Sequence, residues 1–128
     1  MWELFDYIDG RGVNVIEAWR NSRQKPEKAK LDNRLNILAK TGPNVGLGLL
    51  SGTKSRYIDK LKVTGKVTLR LMLCRGPIQM DGEFTLLLGA REQDRKLIPR
   101  DAEDIAESHR LNVISNPRAH RSRRHTHE

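Results

Sequence analysis

The feature that most constrains the fold is the stretch 66–74, in which apolar and polar side chains alternate. Leucine or valine occupies positions 67, 69, 71 and 73, while a lysine, a threonine and an arginine occupy positions 66, 68 and 70. A period of two residues is that of a strand with one buried face. The stretch 55–63 forms a second strand before it, and Thr64-Gly65 supplies a tight turn between them. The sequence therefore predicts a β-hairpin with one face in the core.

Further elements are predicted on both sides of this hairpin. Residues 2–8 alternate roughly and end at a turn, which favours a first strand. Helices are predicted over 14–23, where Asn14 and Glu17 have capping-box spacing, and from Pro26 to about Lys40, where leucines recur at helical intervals. A glycine-rich connector follows over 43–54, with Leu47, Leu49 and Leu50 packed under the sheet. The remaining predicted elements are a central strand over 83–88 and a last helix that begins near Pro99.

The order of these elements is strand, two helices, three strands and a helix. It predicts an α+β domain with a small antiparallel sheet, two N-terminal helices on one face and a C-terminal helix. A chain of 128 residues allows one such domain, over 1–114. Residues 115–128 are rich in arginine and histidine and poor in apolar side chains, so we expect them to form a basic disordered tail.

Several classes of protein are disfavoured by the composition. No apolar run approaches the ~20 residues that span a bilayer, and the first residues carry acids and no basic n-region, so we expect a cytoplasmic protein that does not bind membranes. Cys74 is the only cysteine, which excludes an internal disulfide and a cysteine zinc cage. We expect no metal and no cofactor, because His120, His125 and His127 lie in a predicted flexible tail without partner carboxylates.

The charge of the chain is concentrated in the hairpin. The net charge is +8, and residues 54–75 hold seven lysines and arginines against Asp59 alone. A basic stripe of this density suits a polyanion such as a phosphate backbone. A solvated face, or a face paired with acids of another protein, is the alternative that charge alone leaves open.

The positions of these cations suggest one kind of chemistry. Lys60 and Lys62 are two residues apart in a strand and point to one side, Arg70 lies on the polar face of the next strand, and Arg91 follows the third. We expect sheet pairing to bring them together at one phosphate-sized site. Cations without a carboxylate pair, a Ser/His/Asp set or a metal cluster suit transesterification of RNA, in which the 2′-hydroxyl is the nucleophile. The protein then supplies charge stabilisation, a base and an acid, and a lysine crowded by other cations is a candidate base.

The chain also resembles a known family. The segments that carry the resemblance are the strand Tyr57–Lys62, the turn Thr64-Gly65, the strand Leu69–Leu73, the run Phe84–Glu92, and Lys96–Ala102. They are similar to the central hairpin, the last strand with its basic exit, and the start of the C-terminal helix in RelE/HigB-type toxins, particularly those of the phage-derived branch. The resemblance covers residues 2–112. It implies a toxin that enters the ribosomal A site, cuts mRNA and so inhibits translation. It also implies a cognate antitoxin, expected to be a helix-turn-helix protein, that holds the toxin inactive.

The resemblance also implies roles for individual residues. The residues expected to act in catalysis are Lys60, Lys62, Arg70, Arg91 and Lys96. The residues expected to contact RNA are Arg56, Tyr57, Lys66, Arg75 and Arg95. Where the family often has a tyrosine or histidine for base stacking or proton transfer, this chain has Arg95-Lys96-Leu97. Lys96 or Tyr57 is therefore the expected substitute.

Other interpretations remain open at this point. The same fold serves the related ParE branch, whose members inhibit DNA gyrase by binding protein, and a non-catalytic relic that binds RNA or an antitoxin would share it too. Lys60 and Lys62 can also be solubilising residues on a half-exposed strand. Arg91 can pair on the surface with Glu92 or Asp94, where such pairs contribute little.

Overall fold

The computed structural model describes residues 1–46 and 48–125. Within these ranges the chain forms seven strands and four α-helices, with a 3₁₀ turn at Gly42–Asn44. In chain order they are β1 (Glu3–Tyr7), α1 (Val15–Asn21), α2 (Lys25–Thr41), β2 (Leu50–Gly52), β3 (Ile58–Val63), β4 (Leu69–Arg75), β5 (Glu83–Gln93), β6 (Lys96–Ile98), α3 (Ala102–Ser115), α4 (Pro117–His120) and β7 (Arg121–Arg123). Leu47 and His127, which the sequence analysis assigns to the connector and the tail, lie outside the described residues.

The strands form one mixed sheet in the order β2-β3-β4-β5-β1-β7, with β6 added to β5. The chain is thus α+β, as predicted. The expectation of a purely antiparallel sheet is wrong, because β1 lies parallel to β5, with Leu4 opposite Phe84. Parallel neighbours need a long connection, and the helices and the β3–β4 hairpin provide it here. Alternation within residues 2–8 identifies a strand but carries no information about its partner.

Helices cover both faces of the sheet, and each face has its own apolar core. On the face that we call the α1/α2 face, leucines of the hairpin pack against Ile16 of α1 and Leu31 and Leu35 of α2. On the opposite face, the α3 face, Ile58 and Met72 pack with small residues of α3, including Ala102 and Ala106. The hairpin therefore has apolar positions on both faces, and the polar residues that remain on the α3 face lie near one end of it. None of the helices in the described part of the chain is long and apolar enough to cross a membrane.

The two N-terminal helices begin where the capping signals predict. The Asn14 side chain accepts a hydrogen bond of 2.9 Å from the backbone N–H of Glu17, which confirms the predicted N-cap of α1. In α2 the cap is Gln24, whose backbone N–H donates to the Glu27 carboxylate at 3.1 Å in a reciprocal capping box. Such caps satisfy backbone N–H groups that have no partner within the helix. They fix the start of α2 beside the β3–β4 turn.

The prediction of a disordered tail is wrong for the described residues after Ser115. Residues 117–123 form α4 and β7, and β7 pairs antiparallel with β1. Beyond it the Arg124 side chain is 3 % exposed and lies 2.9 Å from the carboxylate of Asp6 and 3.0 Å from that of Glu17. The open edge of β1 and a buried carboxylate together give this polar segment its partners. The folded unit consequently extends past the predicted boundary at residue 114.

A stack of aromatic rings attaches α3 and α4 to β1. The ring of buried Tyr7 lies parallel to that of His109, with 3.9 Å between centroids, and at 5.9 Å from that of His120. His109 Nδ1 lies 2.8 Å from the carbonyl oxygen of Leu87, and His120 Nδ1 lies 2.9 Å from that of Ile8. In both histidines Nδ1 therefore donates to a backbone carbonyl, so the proton of each neutral ring lies on Nδ1.

This stack predicts a loss of stability on mild acidification. Burial lowers the pKa of His109 below the ordinary value of 6.5, although the Leu87 carbonyl and Asp9 oppose part of the shift. As the pH falls through 6.5, the unfolded chain therefore takes up a proton at this residue before the folded chain does, and the free energy of unfolding decreases. We expect a lower urea midpoint at pH 5.5 than at pH 7.5, and a smaller difference in His109→Asn. His125→Asn, at an exposed position, serves as the matched control; an unchanged difference in His109→Asn would refute the assignment.

Candidate functional site

Three of the predicted cations converge on the α3 face of the hairpin. In the register of β3 and β4, Lys62 lies directly opposite Arg70, and Lys60 lies opposite Met72. Residues that face each other in this way have Cβ atoms about 5 Å apart on the same side of the sheet. All three cations are partly buried. The expectation that sheet pairing brings Lys60, Lys62 and Arg70 together therefore agrees with the structure.

Two carboxylates accompany these cations. The Arg70 Nε–H donates to a carboxylate oxygen of Glu92 on β5, and Lys60 Nζ lies 3.7 Å from the carboxylate of Glu103 on α3. Within the described residues Lys62 has no ion-pair partner. We call Lys60, Lys62, Arg70 and Glu92 the strand site. The strand site combines fixed positive charge with the Glu92 carboxylate. Because Glu103 lies beside Lys60, that lysine is not crowded by cations alone, contrary to expectation.

Arg91 and Lys96 lie on the opposite face, and the prediction that they share the site is wrong. Arg91 is opposite Leu69 on the α1/α2 face and its guanidinium donates to Gln93 at 3.1 Å, not to Glu92 or Asp94. Lys96 is opposite Gln93 and shares that orientation.

The physical reason is a β-bulge in the pairing of β4 with β5. The register shifts between Met72 and Leu73. Met72 lies opposite Leu88 and Leu73 lies opposite Leu86, so Leu87 is an extra residue of β5 with no partner on β4. Leu87 and Leu88 both pack in the α3-side core. One extra residue reverses the orientation of all later side chains. The bulge thus turns Glu92 toward Arg70 and turns Arg91 away.

The residues predicted to bind RNA are distributed over several surfaces. Lys66 lies in the β3–β4 turn and Arg95 in the β5–β6 turn, and antiparallel pairing places both turns at the end of the sheet where Lys62 lies. Arg75 is at the other end of β4, where it pairs with Asp81 at 2.8 Å and stacks over the ring of Trp2. Lys66 and Arg95 flank the strand site, whereas Arg75 is remote from it.

Tyr57 and Arg56 form a separate cluster before β3. The Arg56 guanidinium lies 4.8 Å from the centre of the Tyr57 ring and that of Arg110 lies 4.2 Å from it. Tyr57 precedes Lys62 by five positions, which is roughly 16 Å along a strand. The structure therefore does not place Tyr57 where it can substitute for the missing tyrosine or histidine at the strand site.

Two other kinds of chemistry find no support in the described residues. Cys74 is buried, and burial raises the pKa of its thiol to about 12, so the thiolate required of a nucleophile is scarce at neutral pH. Within residues 1–46 and 48–125, no group of three or more histidine, cysteine, aspartate or glutamate side chains is arranged to hold a metal ion.

Sequence reasoning missed Glu92 and Glu103 as members of this region. Glu103 lies in the first turn of α3, where an acid is expected for the helix dipole alone. Its position over β3 depends on how α3 crosses the sheet. Glu92 depends on the bulge. Comparison with known proteins finds no match: no protein-family model, curated protein or solved structure is significantly similar to this chain.

Proposed function

We propose that this chain is a metal-independent endoribonuclease that cuts mRNA on the ribosome and acts as the toxin of a toxin–antitoxin pair. The observation that carries the proposal is the strand site, where Lys60, Lys62 and Arg70 meet Glu92 on one face of the sheet. Three cations at adjoining strand positions match the charge of a phosphate diester that gains negative charge during cleavage. The position of Lys66 and Arg95 in the flanking turns extends this basic surface along a bound strand of RNA.

The proposed reaction needs no nucleophile from the protein. The 2′-oxygen of the RNA attacks the adjacent phosphorus while its proton passes to the Glu92 carboxylate. The bond from phosphorus to the 5′-oxygen breaks as that oxygen takes a proton from the Lys62 ammonium group. A 2′,3′-cyclic phosphate and a 5′-hydroxyl result. Arg70 stabilises the charge on the phosphate oxygens, Lys62 lies within reach of the same group, and Arg70 also orients Glu92. Glu92 here takes the role of base for which the sequence analysis considered a lysine.

The proposal includes a RelE-like arrangement and a protein partner. Three features support the RelE-like arrangement: the hairpin with its cations, the basic turns, and a C-terminal helix across the same face. A cognate antitoxin with a helix-turn-helix domain would then cover the strand site, and an acidic segment would complement the uncompensated charge at Lys62. The proposed compartment is the cytoplasm, because the substrate is on the ribosome.

A reconstituted translation system tests the function. We expect purified protein to arrest synthesis and to leave cuts in the translated mRNA that primer extension locates, in the presence of translation factors and active ribosomes. Relaxation and supercoiling of plasmid DNA by gyrase, measured in parallel, should be unaffected. Inhibited supercoiling with intact mRNA would instead indicate a ParE-like gyrase inhibitor, and no effect on either would indicate a non-catalytic relic.

A further inference from the structure

A cleft lies between the start of α2 and the β3–β4 turn, on the α1/α2 side of the sheet. Its volume is about 450 Å³, within the range of ordinary small-molecule pockets. Apolar side chains of Val63, Val67 and Leu69 form its floor, and Pro26 closes one side. None of the strand-site residues lines it.

The rim of this cleft carries two lysines without ion-pair partners in the described part of the chain. Lys30 projects from α2 and Lys66 from the hairpin turn, and both are exposed. Lys30 Nζ lies over Gly65, at 3.1 Å from the point where a Cβ would be, so the absence of a side chain at Gly65 leaves space for the ammonium group. Two ammonium groups therefore border an apolar surface.

The acid at the rim offsets only one of the two lysine charges. Glu27 lines the cleft, but its carboxylate accepts the hydrogen bond from the backbone N–H of Gln24 in the helix cap. A carboxylate engaged in this way is held at the N-terminus of the helix. The cleft thus offers an apolar floor and an excess of one positive charge, with the acid held at the helix cap, to a ligand.

We propose that this cleft binds a small organic anion with an apolar body, such as a medium-chain carboxylate. The apolar body covers Val63, Val67 and Leu69, and the anionic head lies between Lys30 and Lys66. A free small molecule fits better than a protein segment, because the lining comes from one turn of α2 and one hairpin turn. The proposal does not rest on the proposed function, since none of the four strand-site residues lines the cleft; Lys66, at the turn, is the residue named in both.

Titration of ¹⁵N-labelled protein with octanoate, followed by two-dimensional NMR, tests the site. We expect saturable shifts centred on residues 24–30 and 63–69. Octylamine, with the same chain and the opposite charge, should bind at least tenfold more weakly. Equal shifts with octanoate and octylamine, or octanoate shifts spread over the whole surface, would overturn the proposal without any variant.

A matched pair of double variants tests the two lysines. Lys30→Gln with Lys66→Gln should weaken octanoate binding at least tenfold. Lys25→Gln with Lys28→Gln removes the same charge from α2 outside the cleft lining and should leave the affinity within about twofold. Equal weakening in both pairs would show a non-specific charge effect and overturn the proposal. Cleavage of mRNA by the unmodified protein is measured without octanoate, so failure here is distinguishable from failure of the proposed function.

Discussion

Replacing Arg70 with alanine is expected to relieve the growth arrest caused by this protein in cells that lack its antitoxin. The same change should slow mRNA cleavage by about 10²–10³-fold, which is the effect of removing one preorganised donor to a developing oxyanion and corresponds to roughly 2.7–4 kcal/mol. The reason is that Arg70 lies opposite Lys62 and contacts Glu92, so its loss removes phosphate stabilisation and leaves the proposed base without its orienting partner. Single-turnover cleavage on programmed ribosomes measures the effect.

Arg91→Ala is the matched control for Arg70→Ala. It removes the same side chain from the neighbouring strand, but Arg91 lies on the other face because of the bulge. We expect Arg91→Ala to retain cleavage within a few fold and to remain toxic, whereas Lys62→Ala and Glu92→Gln should both lose activity. If Arg70→Ala and Lys62→Ala both remain fully toxic, the strand site is not the active centre. An equal loss in Arg70→Ala and Arg91→Ala, with normal folding, would contradict the face assignment.

Replacing Arg124 with alanine is expected to produce a large loss of stability. The Arg124 guanidinium is the cation that contacts Asp6, whose carboxylate is buried between β1, α1 and the segment after β7. Burial raises the pKa of Asp6, and Arg124 opposes part of that shift. Removal of one partner from a buried ion pair typically costs about 3–5 kcal/mol, because the other charge is left unpaired. Urea unfolding at pH 7.5 measures the change in the free energy of unfolding.

Arg118→Ala provides the comparison, since Arg118 is an exposed arginine in the same C-terminal segment. Surface substitutions of this kind change stability by within about 0.5 kcal/mol. We expect the Arg118→Ala midpoint to match that of the unmodified protein. Coincident unfolding curves for Arg124→Ala and Arg118→Ala would show that the ion pair between Arg124 and Asp6 does not stabilise the fold.

Short-range sequence patterns predicted the elements that are determined by interactions between residues close in the chain. Asn14 caps α1 because its side chain reaches the N–H of Glu17 three residues later, and α2 buries the leucines that the helical spacing selects. The hairpin follows from alternation, but the predicted tight turn at Thr64-Gly65 is wrong. Val63 pairs with Leu69, so residues 64–68 form a five-residue connection between β3 and β4. Caps and alternation act over a few residues, and a sequence shows them directly.

Features that depend on distant partners were not predictable in the same way. The orientation of Arg91 follows from one additional residue, Leu87, relative to β4, and no local signal in a uniformly apolar run marks a bulge. The order of the C-terminal segment depends on the free edge of β1 and on Asp6, more than a hundred positions earlier in the chain. The composition of the C-terminal segment shows that it is polar. It does not show that the buried carboxylate of Asp6 binds it.

Cleavage of an mRNA with a single 2′-deoxy nucleotide at the mapped cut site, on active ribosomes, is the most direct test of the proposed chemistry. If Glu92 takes a proton from the 2′-hydroxyl and Arg70 stabilises the phosphate, unmodified mRNA is cut to a 2′,3′-cyclic phosphate under these conditions and the deoxy position stays intact. Cleavage at the deoxy position, or cutting of unmodified mRNA that leaves a 3′-hydroxyl and a 5′-phosphate, would contradict the strand site as the active centre.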